Sequence, residues 1–171
     1  LVLAGSGVFL SMVWDGLNAL ERIVLTLGSS LAALVLSYLA SLSAERRRLV
    51  TPLFLIAVLT EPAGIVVALQ ELSTGGHELL GGLVVSATMA LQCILLFARL
   101  RRGSMLFFAL LFGGVALSSA LALIDLDEEL NALVVGTSYL LITLALRRTE
   151  HEPLTPFWFS VSSSLILIAW F

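Results

Sequence analysis

The chain has 171 residues, of which 59% are hydrophobic and 12% are charged, and its formal net charge is −3. A water-soluble domain carries about 25% charged residues, so this composition excludes an ordinary soluble globular domain. Apolar segments recur along the whole chain without the alternation of a transmembrane barrel strand. The sequence therefore predicts an all-α, polytopic transmembrane helical bundle surrounded by the lipid bilayer.

The apolar segments predict about seven spans in chain order. They are Leu1–Trp14, Ala19–Ala40, Leu49–Gln70, Leu79–Ala98, Met105–Ile124, Leu130–Leu146 and Pro156–Phe171. We interpret residues 1–171 as one transmembrane domain made of hairpins 1–48, 49–102 and 103–148 plus a final span, 156–171. Because 14 residues of helix extend only about 21 Å, and because the last span has no partner, we expect further chain at both ends.

Charge alternates sharply from one loop to the next. Eight of the nine arginines lie in Ser41–Arg48, Arg99–Ser104 and Arg147–Thr155, whereas acidic residues dominate the intervening connections, such as Asp125–Glu129. By the positive-inside rule, the arginine loops are predicted to be cytoplasmic and the acidic loops to face the other side of the membrane. The N-terminus would then be cytoplasmic and the C-terminus would face outward.

The sequence also shows a repeat that is about as long as one helical hairpin. Arginine clusters recur at 45–48, 99–102 and 146–148, and the phrases GLVVSAT at 82–88 and ALVVGTS at 132–138 are similar. A duplicated hairpin is one interpretation, because transporters are often built from repeats. The other is that any membrane hairpin needs basic cytoplasmic ends and small residues where helices touch.

The N-terminal part resembles a family of bacterial predicted membrane proteins, the domain of unknown function 2157. Residues 5–27 contain Trp14, Asp15 and Arg22 in the pattern of that family, although Val13 stands where an asparagine is typical. The segment from Gly64 to Gln70 is similar to a second family motif. The resemblance implies a multi-span inner-membrane protein and supplies neither a reaction nor an active site.

Glu61 is the most informative residue of the sequence. It lies inside the apolar segment Leu49–Gln70 and is followed at once by Pro62 and then by Gly64. Placing a charged carboxylate at that depth in the bilayer costs about 2.5 kcal/mol of free energy or more, unless the group is neutralised by a proton, paired with another group or hydrated. Because proline cannot donate to the helix ladder and disfavours helical geometry in the preceding residue, we expect a kink or break there.

Two interpretations of this segment remain open. In the first, Glu61 binds a proton or cation in a transport site, with Thr60, Gln92 and Thr88 as polar neighbours. In the second, Glu61 is protonated and hydrogen-bonded as part of helix packing. At the level of the whole chain, the matching alternatives are a transporter and an accessory subunit or homo-oligomer that docks a membrane partner.

Other chemistry is not indicated. The two histidines, His77 and His151, lie in loops without a ligand set, so we predict no metal and no cofactor. Abundant serines have no histidine or lysine at membrane depth to activate them, so we predict no enzyme. The arginine loops are topology signals that could touch anionic lipid, and no nucleic acid is predicted as a partner.

Aromatic and small residues receive conventional interpretations. Trp14 and the Phe157–Phe159 aromatic run are predicted to anchor the chain at the membrane interface. Cys93 is predicted to be a small packed residue, and the histidines to be solvated loop residues. The serines of the last span are expected to bond backbone groups, and the acidic loop Asp125–Glu129 could gather cations but needs no such role.

Overall fold

A computed structural model of the chain describes residues 14–72 and 78–170. In this described part every regular element is helical, which confirms the all-α fold class. The main helices are α1 (Ala19–Ser41), α2 (Val50–Leu72), α3 (Glu78–Leu100), α4 (Gly103–Leu123), α5 (Glu128–Leu146) and α6 (Thr155–Ile168). Short 3₁₀ turns at Trp14–Gly16, Arg47–Leu49 and Glu152–Leu154 lie between them or at their ends.

The helices indicate a membrane protein. Of the described residues, five helices are long and apolar enough to cross a bilayer, namely α1 to α5. The sixth, Thr155–Ile168, has 14 residues, which span about 21 Å and fall short of the roughly 30 Å hydrocarbon layer. Nearly all of the first predicted span, Leu1–Trp14, lies outside the described residues, so the count of seven spans stays a prediction.

The chain divides into two compact units, Leu1–Gly76 and His77–Phe171. The first contains α1 and α2, which pack along each other, and the second contains α3 to α6, in which α3 packs on α4 and α5 on α6. Each of these three close helix pairs is joined by one of the arginine loops. The division into hairpins at 48, 102 and 148 and the hairpin repeat stay predictions.

In the first unit, α1 and α2 touch closely at two levels. Near the arginine loop the buried hydroxyl of Ser37 donates a hydrogen bond of 2.8 Å to the carbonyl of Val50. Farther along, Gly64 lies so close to α1 that an added Cβ would be 2.8 Å from the backbone N and Cα of Leu27. A glycine is therefore required there by the close approach of two helix backbones.

The irregular part of this unit lies in α1 rather than in α2. Residues Val24–Gly28 form a π-helical turn between the α-helical stretches Ala19–Ile23 and Ser29–Ser41. A π turn places one extra residue in the helix and loosens its backbone bonding. Here side-chain hydroxyls add bonds to the carbonyls: Thr26 to Arg22 (2.7 Å), Ser29 to Thr26 (2.9 Å) and Ser30 to Leu27 (2.8 Å).

The predicted break at Glu61 and Pro62 is wrong, and the kink stays a prediction. The helix α2 runs without interruption from Val50 to Leu72 with Pro62 inside it. Pro62 removes the hydrogen bond to the carbonyl of Val58. The hydroxyl of Thr60 donates to the carbonyls of Ile56 (2.8 Å) and Ala57 (3.3 Å), neither of which is the carbonyl of Val58. One proline therefore removes one backbone bond of this long apolar helix without ending it.

The second unit is built around an aromatic core. Trp158, only 1% exposed, stacks on Tyr139 with ring centroids 4.8 Å apart, and the Tyr139 hydroxyl donates a 2.9 Å bond to the carbonyl of Leu110. The prediction that Trp158 anchors the interface is therefore wrong, whereas its neighbours Phe157 and Phe159 are exposed. An indole in this position packs α6 onto α5.

Small and hydroxyl residues connect the same helices. The buried Ser162 hydroxyl donates 2.8 Å to the carbonyl of Gly136, and a Cβ on Gly136 would meet Ile166 at 3.0 Å. Ser160 donates to the carbonyl of Pro156 at 3.1 Å. The expectation that serines of the last helix bond backbone groups is confirmed for these two, and Cys93 is buried as predicted.

The glycine contact generates a stability prediction. Gly64→Ala places a methyl group against the backbone of Leu27, so we expect a loss of about 1–3 kcal/mol, as for other overpacked sites. The measurement is thermal unfolding of the purified chain in detergent. Gly113→Ala is the matched control, because nothing lies within 4 Å of a Cβ at Gly113, which is also inside a helix. An equal melting temperature for the two variants would contradict the close contact.

Candidate functional site

Glu61 lies at the centre of α2, with the helix ends Val50 and Leu72 equally far away. That is about 16 Å of helix on each side. The side chain is only 2% exposed. It belongs to the buried stripe of α2, whose members are Val50, Phe54, Ala57, Val58, Glu61 and Gly64. A carboxyl group at mid-helix is thus buried among apolar residues of a membrane-length helix.

The stripe that carries Glu61 contacts α1 at both of its ends. Val50 accepts the bond from Ser37, and Gly64 meets Leu27, so Glu61 lies between these two contacts. Gly64 is one helical turn from Glu61, which places the carboxyl group close to the level of the π-helical turn. Glu61 makes at least one hydrogen bond or electrostatic interaction.

The other predicted site residues are placed differently. Thr60 is exposed, and its hydroxyl bonds the backbone of its own helix. Thr88 is exposed and Gln92 half-buried, one turn apart on α3. Thr88 and Gln92 belong to the second unit and Glu61 to the first. The grouping of these residues into one site therefore stays a prediction.

A polar cluster lies at the acidic end of the first unit. The guanidinium of Arg22 makes a 2.8 Å ion pair with Glu71, and each side chain is 24% exposed. The Arg22 Nε also donates to the carbonyl of Trp14 at 3.3 Å, and its guanidinium lies 5.4 Å from the centroid of the Trp14 ring. Arg22 is the one arginine outside the arginine loops, and this ion pair offsets its charge.

Histidine and metal chemistry are not assembled in the described residues. Within 14–72 and 78–170 the structure has no group of three or more His, Cys, Asp or Glu side chains able to hold a metal ion. His77 lies outside the described residues. His151, predicted to be solvated, is instead only 13% exposed in its side chain and packs edge-on against Phe97, with ring centroids 5.1 Å apart.

The contact between His151 and Phe97 bears on topology within the second unit. Phe97 lies just before the loop that contains Arg99, Arg101 and Arg102, and His151 lies in the loop that contains Arg147 and Arg148. The two arginine loops are therefore at the same end of this unit. That is the arrangement required if both are to face one side of a membrane.

The second unit also contains a cavity that the sequence did not reveal. A groove of about 520 Å³ runs between α4, α5 and α6. Each helix contributes one face of the groove. The α4 face consists of Leu111, Gly114, Val115, Ser118 and Ala122, and the α5 face consists of Glu128, Asn131, Ala132, Val135 and Tyr139. The α6 face consists of Phe157, Trp158, Val161 and Leu165. The volume lies in the range of small-molecule sites.

Two polar atoms of residues that line this groove have no hydrogen-bond partner within the described part of the chain. They are the Oδ1 of Asn131 and the indole Nε1 of Trp158. The helical spacing of these lining residues was visible in the sequence. The pairing of the three faces was not, because it depends on the packing of α6 against α5.

No protein-family model matches the chain, and neither a curated protein nor a solved structure matches it. The resemblance of residues 5–27 and 64–70 to the domain of unknown function 2157 family therefore stays a prediction.

The ion pair generates a prediction for the first unit. We expect Arg22→Gln and Glu71→Gln to be coupled by about 1 kcal/mol in a double-mutant cycle, because each single change leaves the other, largely buried charge without its ion-pair partner. The cycle is measured by thermal unfolding at low salt. Arg22→Gln combined with Glu45→Gln is the control, since Glu45 is an exposed acid in the arginine loop, and that pair should be additive. Additivity of the Arg22 and Glu71 changes would contradict the pair.

Proposed function

We propose that this chain is a membrane transport protein that moves a small solute or ion together with a proton or cation, and that Glu61 binds the proton or cation. The observation that carries the proposal is a carboxyl group, 2% exposed, at the centre of a 23-residue apolar helix. Ionisable residues at this depth are costly, and in membrane proteins they mark ion pathways by default.

The surroundings of Glu61 support a site that can change its state. A π-helical turn in α1 lies close to its level, and π turns occur frequently at functional sites. The close contact of Gly64 with Leu27 fixes the two backbones against each other one turn away. Binding a proton neutralises the carboxyl group and lowers its cost of burial, so occupancy of Glu61 would favour one arrangement of α1 and α2 over another.

The alternative is a membrane-embedded accessory or scaffolding subunit, or a homo-oligomer. It is favoured by α4, because only 6% of the most apolar 18-residue stretch of this helix is buried inside the chain. The exposed surface of α4 can contact another membrane protein as well as lipid. The mass of the detergent-solubilised particle distinguishes the two, since a docked partner or second copy adds protein mass.

For topology, we propose the orientation with the arginine loops in the cytoplasm of a bacterium and the chain in its inner membrane. Support comes from the shared end of the two arginine loops in the second unit and from the pairing of Arg22 with Glu71. Membership of the domain of unknown function 2157 family would agree with this localisation and remains part of the proposal.

The transport proposal predicts the effect of a single isosteric change. Glu61→Gln keeps the shape of the side chain but cannot release a proton, so we expect it to abolish pH-gradient-driven uptake in proteoliposomes. The assay is accumulation from a panel of radiolabelled small solutes with an imposed pH gradient. Glu45→Gln, the same change in an exposed loop, should leave uptake unaltered.

The packing interpretation makes the opposite prediction. If Glu61 only joins helices, Glu61→Gln retains uptake, whereas Glu61→Leu removes its polar contact and unfolds the chain. Circular dichroism and size-exclusion chromatography of both variants separate loss of fold from loss of transport. Full uptake by Glu61→Gln would overturn the transport role of this residue.

Orientation is tested by cysteine labelling in intact cells. The native Cys93 is buried and gives little background. We expect Asp127→Cys in the acidic loop to react with a membrane-impermeant maleimide added outside, and Glu150→Cys in an arginine loop to react only after permeabilisation. Both positions are exposed, so accessibility of the side chain is matched. The reverse pattern would contradict the proposed topology.

A further inference from the structure

The groove between α4, α5 and α6 has two chemically different ends. On α5 it begins at Glu128 and Asn131 in the first turns and ends at Tyr139. Glu128 and Tyr139 are about 16 Å apart along the helix axis. Between them the wall is apolar, with Gly114, Val135 and Leu165 from the three helices. The groove is therefore amphipathic along its length.

The Asn131 amide has an unpartnered acceptor at the polar end. Its Nδ2 donates a 3.0 Å hydrogen bond to the carbonyl of Ser118. Because a carbonyl can only accept, the Nδ2 group must face Ser118, and the orientation of the amide is fixed. The Oδ1 atom is buried and has no partner in the described part of the chain. A buried acceptor left in this state costs about 1–3 kcal/mol, and a hydrogen-bond donor from a ligand would satisfy it.

Charge at the same end selects the kind of donor. Glu128 lines the groove and supplies an acceptor-only carboxylate. Asp125, Asp127 and Glu129 are exposed close to it in the chain. Among the described residues that line the groove there is no Lys, Arg or His. The polar end therefore attracts a positively charged group that carries N–H donors.

The opposite end is lined by aromatic rings. Tyr139 and Trp158 stack at 4.8 Å between centroids, and the Tyr139 hydroxyl is already used in its bond to Leu110. These ring surfaces and the aliphatic wall suit an alkyl chain or another apolar body.

We propose that this groove binds an amphipathic amine, with its ammonium group at Glu128 and Asn131 and its apolar chain along α4 and α6 toward Trp158. The charge of the polar end, the unpartnered Asn131 Oδ1 and the apolar wall together carry the assignment. The site is separate from Glu61, which lies in the other unit, and binding here does not depend on the proposed transport role.

Three probes with the same chain and different head groups test the assignment. Octylamine is a cationic donor, octan-1-ol a neutral donor and octanoate an anion. The full chain is reconstituted in lipid nanodiscs with Trp14→Phe and Trp170→Phe, so that Trp158 is the remaining tryptophan. We expect saturable quenching or shift of Trp158 fluorescence with octylamine, at least about tenfold weaker binding of octan-1-ol, and no binding of octanoate.

Matched variants locate the head group. Glu128→Gln and Asn131→Leu should each weaken octylamine binding by about tenfold or more, because each removes an acceptor for the ammonium group. Glu129→Gln removes the same charge from the next residue, which does not line the groove, and should leave the affinity unchanged. Ala132→Phe fills the groove between the two ends and should abolish saturable binding.

Three outcomes would overturn the assignment. Equal, non-saturating responses to octylamine and octan-1-ol would show partition into the lipid only. Equal losses in Glu128→Gln and Glu129→Gln would show attraction by the acidic loop rather than a bound head group. Unchanged saturable binding by Ala132→Phe, with its fold verified by circular dichroism, would place the amine outside the groove.

Discussion

In a hydrocarbon environment each backbone N–H and C=O group must find its partner inside the protein, since no water is present to bind it. That constraint explains both the helical content of the described residues and the use of the hydroxyl side chains. Thr26, Ser29 and Ser30 bond carbonyls at the π-helical turn, and Thr60 bonds carbonyls of its own helix. The irregular backbone of α1 therefore lies where several hydroxyl groups bond to it.

Helix association in such an environment depends on close contact rather than on apolar burial alone. At Gly64 the backbones of α1 and α2 meet directly, and at Gly136 the helix α6 lies against α5. The serine bonds Ser37 to Val50 and Ser162 to Gly136 join the same helix pairs. These contacts hold Glu61 on a buried stripe in one unit and bring the α5 and α6 faces of the groove together in the other.

Much of the fold follows from the sequence, because long apolar segments with charged loops leave few alternatives to membrane helices. Burial of Cys93 and backbone bonding by Ser160 and Ser162 followed from residue type. The continuity of α2 through Pro62 did not, since one proline removes a single backbone bond of a 23-residue helix and does not by itself end it. Trp158 was misassigned to the interface because aromatic residues at a span end anchor to lipid or pack inward according to their neighbours, here Tyr139.

Of the two candidate sites, one follows from the sequence and the other does not. A carboxyl group in an apolar segment is a signal that the sequence carries by itself, so Glu61 is identifiable from the sequence alone. The groove beside Asn131 was missed because its three walls come from helices whose contact is set by tertiary packing. The short helix α6 is decisive here, since its Phe157, Trp158, Val161 and Leu165 form one of the three walls.

The central claim is that lipid surrounds most of this chain, and alkaline extraction of membranes tests it most directly. Cell membranes that contain the expressed chain are washed in sodium carbonate at high pH and centrifuged. We expect the chain to stay in the membrane pellet and to be released only by detergent. Recovery in the carbonate supernatant as a monodisperse species would contradict a membrane-embedded fold, and with it the transport role of Glu61.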